Sequence, residues 1–290
     1  MELETLNSVM LHPANRSIKI PGILSACLIT GTDKIRSGFG NGDCLLIDLN
    51  RNIFAVADAS ERHPEASRLL LKRLIRAIAG TSLQTGVQKA YAGQKYVHKT
   101  TLSCVGIHHS DLNVSLRLAN GGDSLMILYD TRDGSILYRT RADMNFAGRS
   151  RTGSPVAPLD VPTASCRLLL ATDGFLDLIK TMGSGWPNRL PEQLIGVQVH
   201  EMAGFIRRRI DETVTGLEHD DTGVIALNPF AGRLPAAPCI LMGGTRASEE
   251  RAFTDYISSN GFHQWHSLEN LAEKSDLLKT AGIRILTAGQ

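Results

Sequence analysis

"CRLLLATDGFLDLIKTM", residues 166–182, is a strand and the start of a helix joined at one carboxylate. The run from Cys166 to Ala171 is apolar and of strand length, and a helix starts at Gly174. Between them stands Asp173. A single aspartate in that position reads as a turn residue or a helix N-cap. The arrangement recurs along the chain, however. Asp43 opens "CLLIDL" (44–49), Asp58 ends the apolar run of "NIFAVAD" (52–58), and Asp220 with Asp221 immediately precedes "TGVIAL" (222–227).

Working outward, "ILSACLIT" (23–30), "CLLIDL" and "NIFAVAD" read as three strands of a meander, linked by the Gly-rich "RSGFGNGD" (36–43) and by Asn50-Arg51. In "HPEASRLLLKRLIRAIAG" (63–80), Leu70, Leu74, Ala77 and Ile78 share one helical face, while Arg68, Lys72, Arg73 and Arg76 lie mostly on a solvated one. Pro64 suits the first turn and Gly80 a stop. A looser helix is expected within 83–97, then strands at 100–109, 112–120, 124–130 and 135–141, a polar Gly- and Pro-containing loop over 142–163, and a largely helical stretch over 191–214. Strand runs separated from helix pairs indicate an α+β architecture with sheets covered by helices, not a doubly wound parallel sheet. "NPFAGRLPAAP" (228–238) is linker-like. Beyond it, strand, helix, helix and strand form a small appended α/β unit, with Gly243-Gly244 taken as a turn. The expected division is therefore 1–228 and 229–290.

Composition narrows the function. Lys and Arg number 31 against 29 Asp and Glu, so no large field favours nucleic acid or an anionic membrane. No apolar run approaches the ~20 residues of a membrane span, and "MELETLNSVMLHPANRS" lacks the order of a signal peptide, which makes the cytoplasm the expected location. The five cysteines, Cys27, Cys44, Cys104, Cys166 and Cys239, show no C-x-x-C spacing and read as reduced core residues rather than disulfides or zinc ligands.

Carboxylates gathered at the end of a sheet repel one another and lose hydration unless a cation compensates. All-oxygen ligands without His or Cys point to hard divalent ions, Mg²⁺ or Mn²⁺. Two such ions about 4 Å apart activate a water and stabilise charge on a phosphoryl group. That chemistry is hydrolytic.

Six segments carry a resemblance to a known family: "NGD" (41–43), "VADAS" (56–60), "KTTLSCVGIH" (99–108), "LANGGDSLMIL" (118–128), "LLLATDGFLDLI" (168–179) and "DDTGVIAL" (220–227). In order and spacing they resemble the metal-dependent protein phosphatases, or protein phosphatase 2C family, over roughly residues 22–228. The resemblance implies an antiparallel β-sandwich flanked by helices and a Mn²⁺/Mg²⁺-dependent Ser/Thr phosphatase in which a metal-activated water attacks in line. It implies Asp58 as the carboxylate bridging two ions, with the Ala59 backbone carbonyl as a further ligand. Asp173 and Asp220 would ligate one ion, and Asp43 would hold the other mainly through water. Asp123 matches a position that supports a third metal in some members; capping the turn before its strand is the alternative. The implied partner is a phosphorylated protein, in a system opposing a Ser/Thr kinase.

The departures lie beside Asp58. Ala59 replaces a Gly, which requires that its φ not be positive. In "ASERH" (59–63) either His63 takes the position of the histidine that closes this turn or the turn is rebuilt, and Ser60 stands where some members place a histidine proposed as general acid. His63 is thus the candidate acid, with solvent as the other donor. Arg36 is the candidate phosphate-binding arginine, at a longer spacing than usual. Lys99 replaces a Gly and is expected near but not in the site. The alternative function is a pseudophosphatase that keeps the fold as a binding module.

Overall fold

A computed structural model describes residues 8–11, 16–32, 34, 39–111, 113–182, 184–213, 219–234, 239–247, 265 and 266. Strands β1 (Ser8–Leu11), β2 (Arg16–Ile20), β3 (Leu24–Ile29), β4 (Gly40–Asp48) and β5 (Ile53–Ala57) lead into helices α1 (Glu65–Ile78) and α2 (Leu83–Ala92) and a 3₁₀ turn at Tyr96–His98. Five strands follow with one long polar connection: β6 (Leu102–His109), β7 (Val114–Gly121), β8 (Leu125–Asp130), β9 (Ile136–Arg139) and β10 (Ala157–Asp160). Next come β11 (Cys166–Ala171), α3 (Gly174–Thr181), β12 (Ser184–Pro187), α4 (Glu192–Ile195) and α5 (Met202–Thr213), then β13 (Thr222–Leu227), β14 (Cys239–Arg246) and β15 (Trp265–His266).

The strands form two seven-stranded sheets, ordered β1-β14-β4-β5-β6-β7-β10 and β15-β2-β3-β13-β11-β8-β9. Alternation within each apolar run explains the layers. Leu45, Ile47, Phe54, Val56, Leu168 and Leu170 point into the space between the sheets. Their neighbours Cys44, Leu46, Ala55 and Ala57 face outward against Leu70, Leu74 and Ile78 of α1. Leu169 and Ala171 face outward on the other sheet, against Phe175, Ile179, Met202 and Ile206 of α3 and α5. Strands covered on both faces read as continuous apolar runs, as these do. Each fully buried Leu or Ile stabilises the sandwich by roughly 1.5–3 kcal/mol, so the middle strands dominate its stability. Helix α1 buries Leu70, Leu74 and Ile78 of the predicted stripe together with Leu71 and Ile75, while Ala77 is only half-buried, and Gly80 after it takes a positive φ of 86°. The five cysteines are free and buried, and burial pushes the thiols of Cys27, Cys44 and Cys104 up to about 12, which leaves them unreactive. Among the described residues no helix is long and apolar enough to cross a membrane.

Three expectations differ from the structure. The first three predicted strands are not a meander: β3 lies between β2 and β13 in one sheet, and β4 between β14 and β5 in the other. A run apolar on both faces fits either sheet, so adjacency in sequence did not decide the partner. The connection over 142–163 contains β10, an edge strand paired with β7. It is largely exposed and holds Pro158, which only an edge strand tolerates.

The third difference concerns the C-terminal segment. Cys239–Arg246 is the second strand of its sheet, antiparallel to β4 from Cys239↔Asp48 to Arg246↔Gly40 and parallel to β1. Gly243-Gly244 is no terminal turn. It lies at a register shift where Gly42 and Asp43 of β4 oppose Gly244 alone. The sandwich therefore includes sequence from beyond residue 228. Most of the remainder expected in the appended unit lies outside the described residues.

Truncation after Asn228 removes β14 and exposes the paired edge of β4. We expect the truncated chain to lose its cooperative thermal transition or to melt far below the full chain. An unchanged melting temperature by circular dichroism would contradict this placement.

Candidate metal centre

Each acidic side chain is set by a strand held on both sides. Asp173 follows β11, which is paired with β8 and β13, and it occupies the N-cap position of α3 without a side-chain capping bond. Its carboxylate is thus not used as a helix cap. Gly174 makes the neighbouring approach possible, because a Cβ there would lie 2.1 Å from the Asp221 carbonyl oxygen and 2.7 Å from Thr222 Oγ1.

Asp58, at the end of β5, is clamped through its backbone. Its amide donates to Thr101 Oγ1 (2.8 Å), and its carbonyl accepts the Thr101 amide (2.8 Å). Thr101 Oγ1 in turn pairs with Ser124 Oγ. Asp123 sits in the turn joining β7 to β8. In that turn the Gly122 amide donates to Asp143 Oδ1 at 2.8 Å. Asp58, Asp123 and Asp173 converge, each offering an oxygen within 4.8 Å of the others.

Asp43, 1% exposed within β4, is not part of this trio. Its Oδ2 accepts from Thr172 Oγ1 at 2.6 Å, and Thr172 Oγ1 accepts the Gly223 amide at 2.8 Å. Its Oδ1 is buried with no hydrogen-bond partner among the described residues. Gly42 brings β4 against the segment after β5, since a Cβ there would stand 2.5 Å from the Ala59 carbonyl oxygen and 3.4 Å from Asp58 Oδ1. The Ala59 amide donates to the Gly42 carbonyl at 3.1 Å. Among the described residues Asn52 alone, glycines apart, has a positive φ, so Ala59 meets the condition set for replacing Gly.

The adjacent pair divides its work. Asp221 is structural: Oδ1 accepts the Gly31 amide (2.8 Å) and Oδ2 the Gly42 amide (2.7 Å), tying β13 to both β3 and β4. Asp220 is half exposed, and its Oδ1 stands 3.4 Å from Lys34 Nζ and accepts the Asp221 amide at 2.8 Å. It is outside the converging trio, although its charge acts on Asp58 and Asp173.

Beside Asp58 opens a cavity of about 90 Å³ lined by Asp58, Ser60, Lys99, Thr100, Thr101, Asp123 and Phe146. Lys99 Nζ stands 3.7 Å from the centre of the Phe146 ring, which fixes the ammonium in the wall of the site rather than merely near it. His63 does not line this cavity; it neighbours Glu65 and His98. Arg36 lies outside the described residues. The positioning hydroxyls of Thr101, Ser124 and Thr172 were missed in the sequence reading, although all three sit inside or beside the quoted motifs.

Electrostatics distinguish the cluster from a surface patch. Burial, then repulsion by Asp58 and Asp221, raises Asp43 well above the usual carboxylate range. Burial, then Asp173 and Asp220, does the same to Asp58. Asp173 is raised to about 6 by burial, Asp220 and Asp123. Asp221 is raised to about 7 by burial, against the two amides that lower it. Concentrated oxygen donors, with one buried oxygen that lacks a partner among the described residues, fit a hard divalent cation.

Two outcomes follow. Raised folded-state values for Asp173 and Asp221 mean that, without divalent ions, the native state binds more protons than the unfolded chain between about pH 4 and about pH 7. The chelated protein should therefore melt at a higher temperature near pH 5 than near pH 7.5, and the opposite slope in a thermal melt would contradict the geometry. Thr101→Val, which removes the acceptor for the Asp58 amide, should weaken Mn²⁺ binding by roughly 10- to 100-fold in calorimetry without unfolding the protein.

Neither a family model nor a curated protein matches the sequence. Solved structures do match in fold. The catalytic domain of serine/threonine protein phosphatase PstP in complex with two manganese ions aligns at a TM-score of 0.54 and 19% identity, covering 71% of this chain and 98% of that one. The Mycobacterium tuberculosis serine/threonine phosphatase PstP/Ppp aligns at 0.53 and 19%, covering 71% and 98%. RsbX in complex with magnesium aligns at 0.53 and 14%, covering 72% and 97%. Two antiparallel sheets packed face to face, with helices on both outer faces and aspartates at the strand ends, give this chain the protein phosphatase 2C-like fold.

Proposed function

We propose that the protein is a metal-dependent phosphomonoester hydrolase, and specifically a protein serine/threonine phosphatase opposing a Ser/Thr kinase. The observation that carries this reading is the convergence of Asp58, Asp123 and Asp173, together with Asp43, on which the charges of Asp58 and Asp173 act and whose buried Oδ1 has no hydrogen-bond partner among the described residues. The similar structures in complex with manganese and with magnesium support the choice of ion.

Asp58, the Ala59 carbonyl, Asp173, Asp220 and Asp43 would hold two Mn²⁺ or Mg²⁺ ions, with Asp123 toward a third. Such ions supply an activated water for in-line attack and neutralise charge on the phosphoryl group. The chain's own residues do the rest. Thr101 fixes Asp58 by two backbone-directed bonds, and Ser124 fixes Thr101. Lys99, in the cavity wall, meets the phosphate oxygens as a point charge, the part first assigned to Arg36. With His63 off the cavity lining, the departing serine or threonine alkoxide takes its proton from solvent. The loop segment 142–156, which contributes Phe146 to the cavity, contacts the peptide around the phosphorylated residue.

The test is hydrolysis of p-nitrophenyl phosphate with and without Mn²⁺. Turnover should require the ion, and Asp58→Asn should reduce it by roughly a hundredfold or more, the scale of one lost electrostatic contact to a transition state. Lys99→Met should raise KM more than it lowers kcat. Metal binding without turnover on this ester or on phosphopeptides would point to the binding-module alternative.

A further inference from the structure

We propose that His63, Glu65 and His98 form a second metal site, separate from the carboxylate centre and suited to a borderline dication of the Zn²⁺ type. The three side chains each offer one ligand atom within 4.8 Å of the others. His63 Nδ1 stands 3.9 Å from Glu65 Oε1, and the two imidazole rings are 5.1 Å apart, tilted by 57° rather than stacked. Closing such a set onto one ion needs side-chain adjustment of about an ångström, since ligand bonds to Zn²⁺ are about 2.0–2.2 Å.

A second observation points the same way. His98 Nδ1 is buried and has no hydrogen-bond partner among the described residues. Leaving such an atom unsatisfied is costly, and an ion ligated through Nδ1 would remove the deficit. The backbone of His98 is already fixed: its amide donates to the Lys95 carbonyl (2.9 Å), and its carbonyl accepts from Gln94 Nε2 (2.9 Å) and Thr100 Oγ1 (2.8 Å). Glu65 is held from outside by Arg246, whose Nη2 donates to Oε1 at 2.9 Å and whose Nε donates to Oε2 at 3.4 Å. These bonds orient the carboxylate as outer partners of metal ligands do, and the ion competes with the guanidinium for the oxygen it takes. Burial, then the neighbouring His63, lowers the basicity of His98, so the imidazole is neutral as a ligand must be.

The donor set decides the ion. Two nitrogens and one carboxylate favour Zn²⁺, Co²⁺ or Ni²⁺ over Mg²⁺ and Mn²⁺, which prefer oxygen. Three protein ligands leave a fourth position for water. An ion here joins the turn that follows Asp58 to the turn that precedes Thr101, the two segments that meet at the carboxylate centre. The "ASERH" turn, which departs from the phosphatase pattern, thus places His63 beside His98.

The experiment uses the full chain with its carboxylate centre saturated with Mg²⁺. Zn²⁺ is added, unbound metal is removed by gel filtration, and retained zinc is counted by atomic absorption. We expect about one zinc per chain in the wild type and in Asp58→Asn, with at least tenfold weaker zinc binding in His98→Asn and in His63→Asn. Co²⁺ in place of Zn²⁺ should give the intense visible absorption of a tetrahedral site. His63 is 37% exposed, so His63→Asn carries the test if His98→Asn does not fold, as judged by circular dichroism. No retained zinc in the wild type overturns the proposal. So does zinc lost from Asp58→Asn but kept by a folded histidine variant, since the ion would then lie in the carboxylate centre.

Discussion

Mutual repulsion among buried carboxylates is the constraint on which the rest of this structure depends. Asp43, Asp58, Asp173 and Asp221 are each raised above the ordinary carboxylate range, with burial as the largest cause and the charges of neighbouring aspartates, Asp220 and Asp123 among them, adding to it. Free side chains in this position would turn to water. Here they do not, because each is fixed to a strand paired on both sides: β4 by β14 and β5, β5 by β4 and β6, β11 by β8 and β13. The large apolar core between the sheets and beneath the helices supplies the stability that offsets the repulsion. A divalent cation converts the same repulsion into binding energy.

The backbone around the site is arranged for close approach. Gly42 lets β4 lie against the Ala59 carbonyl, and Gly174 lets the Asp220–Thr222 segment lie against the start of α3. Asp221 then ties β3, β4 and β13 together through two amides. The bulge opposite Gly244 sits at Asp43 itself, so the segment beyond residue 228 shapes the site as well as the sheet.

Much of this was legible in the sequence. Apolar runs ending in Asp58 and Asp173 located their strands to within two residues, and the spacing of Leu70, Leu74 and Ile78 gave α1. What was not legible has physical causes. Strands buried on both faces carry no mark of which sheet they join, so β3 was assigned to a meander and β14 to a separate unit. The edge strand β10 lacks alternation because it is only four residues long and largely exposed. Within the site, the motif around Asp123 fits a cap or a ligand, and its approach to Asp58 and Asp173 is visible only in three dimensions. Lys99 and His63 exchanged places relative to expectation: the lysine lines the cavity, and the histidine faces His98. Tertiary approach decides such matters, and a linear motif does not encode it.

The central claim is that the aspartates at the strand ends form a dication centre. Anomalous scattering from crystals grown with Mn²⁺ tests it most directly. The expected result is strong manganese peaks within coordination distance of Asp58, flanked by Asp173 and Asp123 and reached by Oδ1 of Asp43. Crystals saturated with Mn²⁺ that show no peak at Asp58, or peaks only at surface carboxylates, would contradict it.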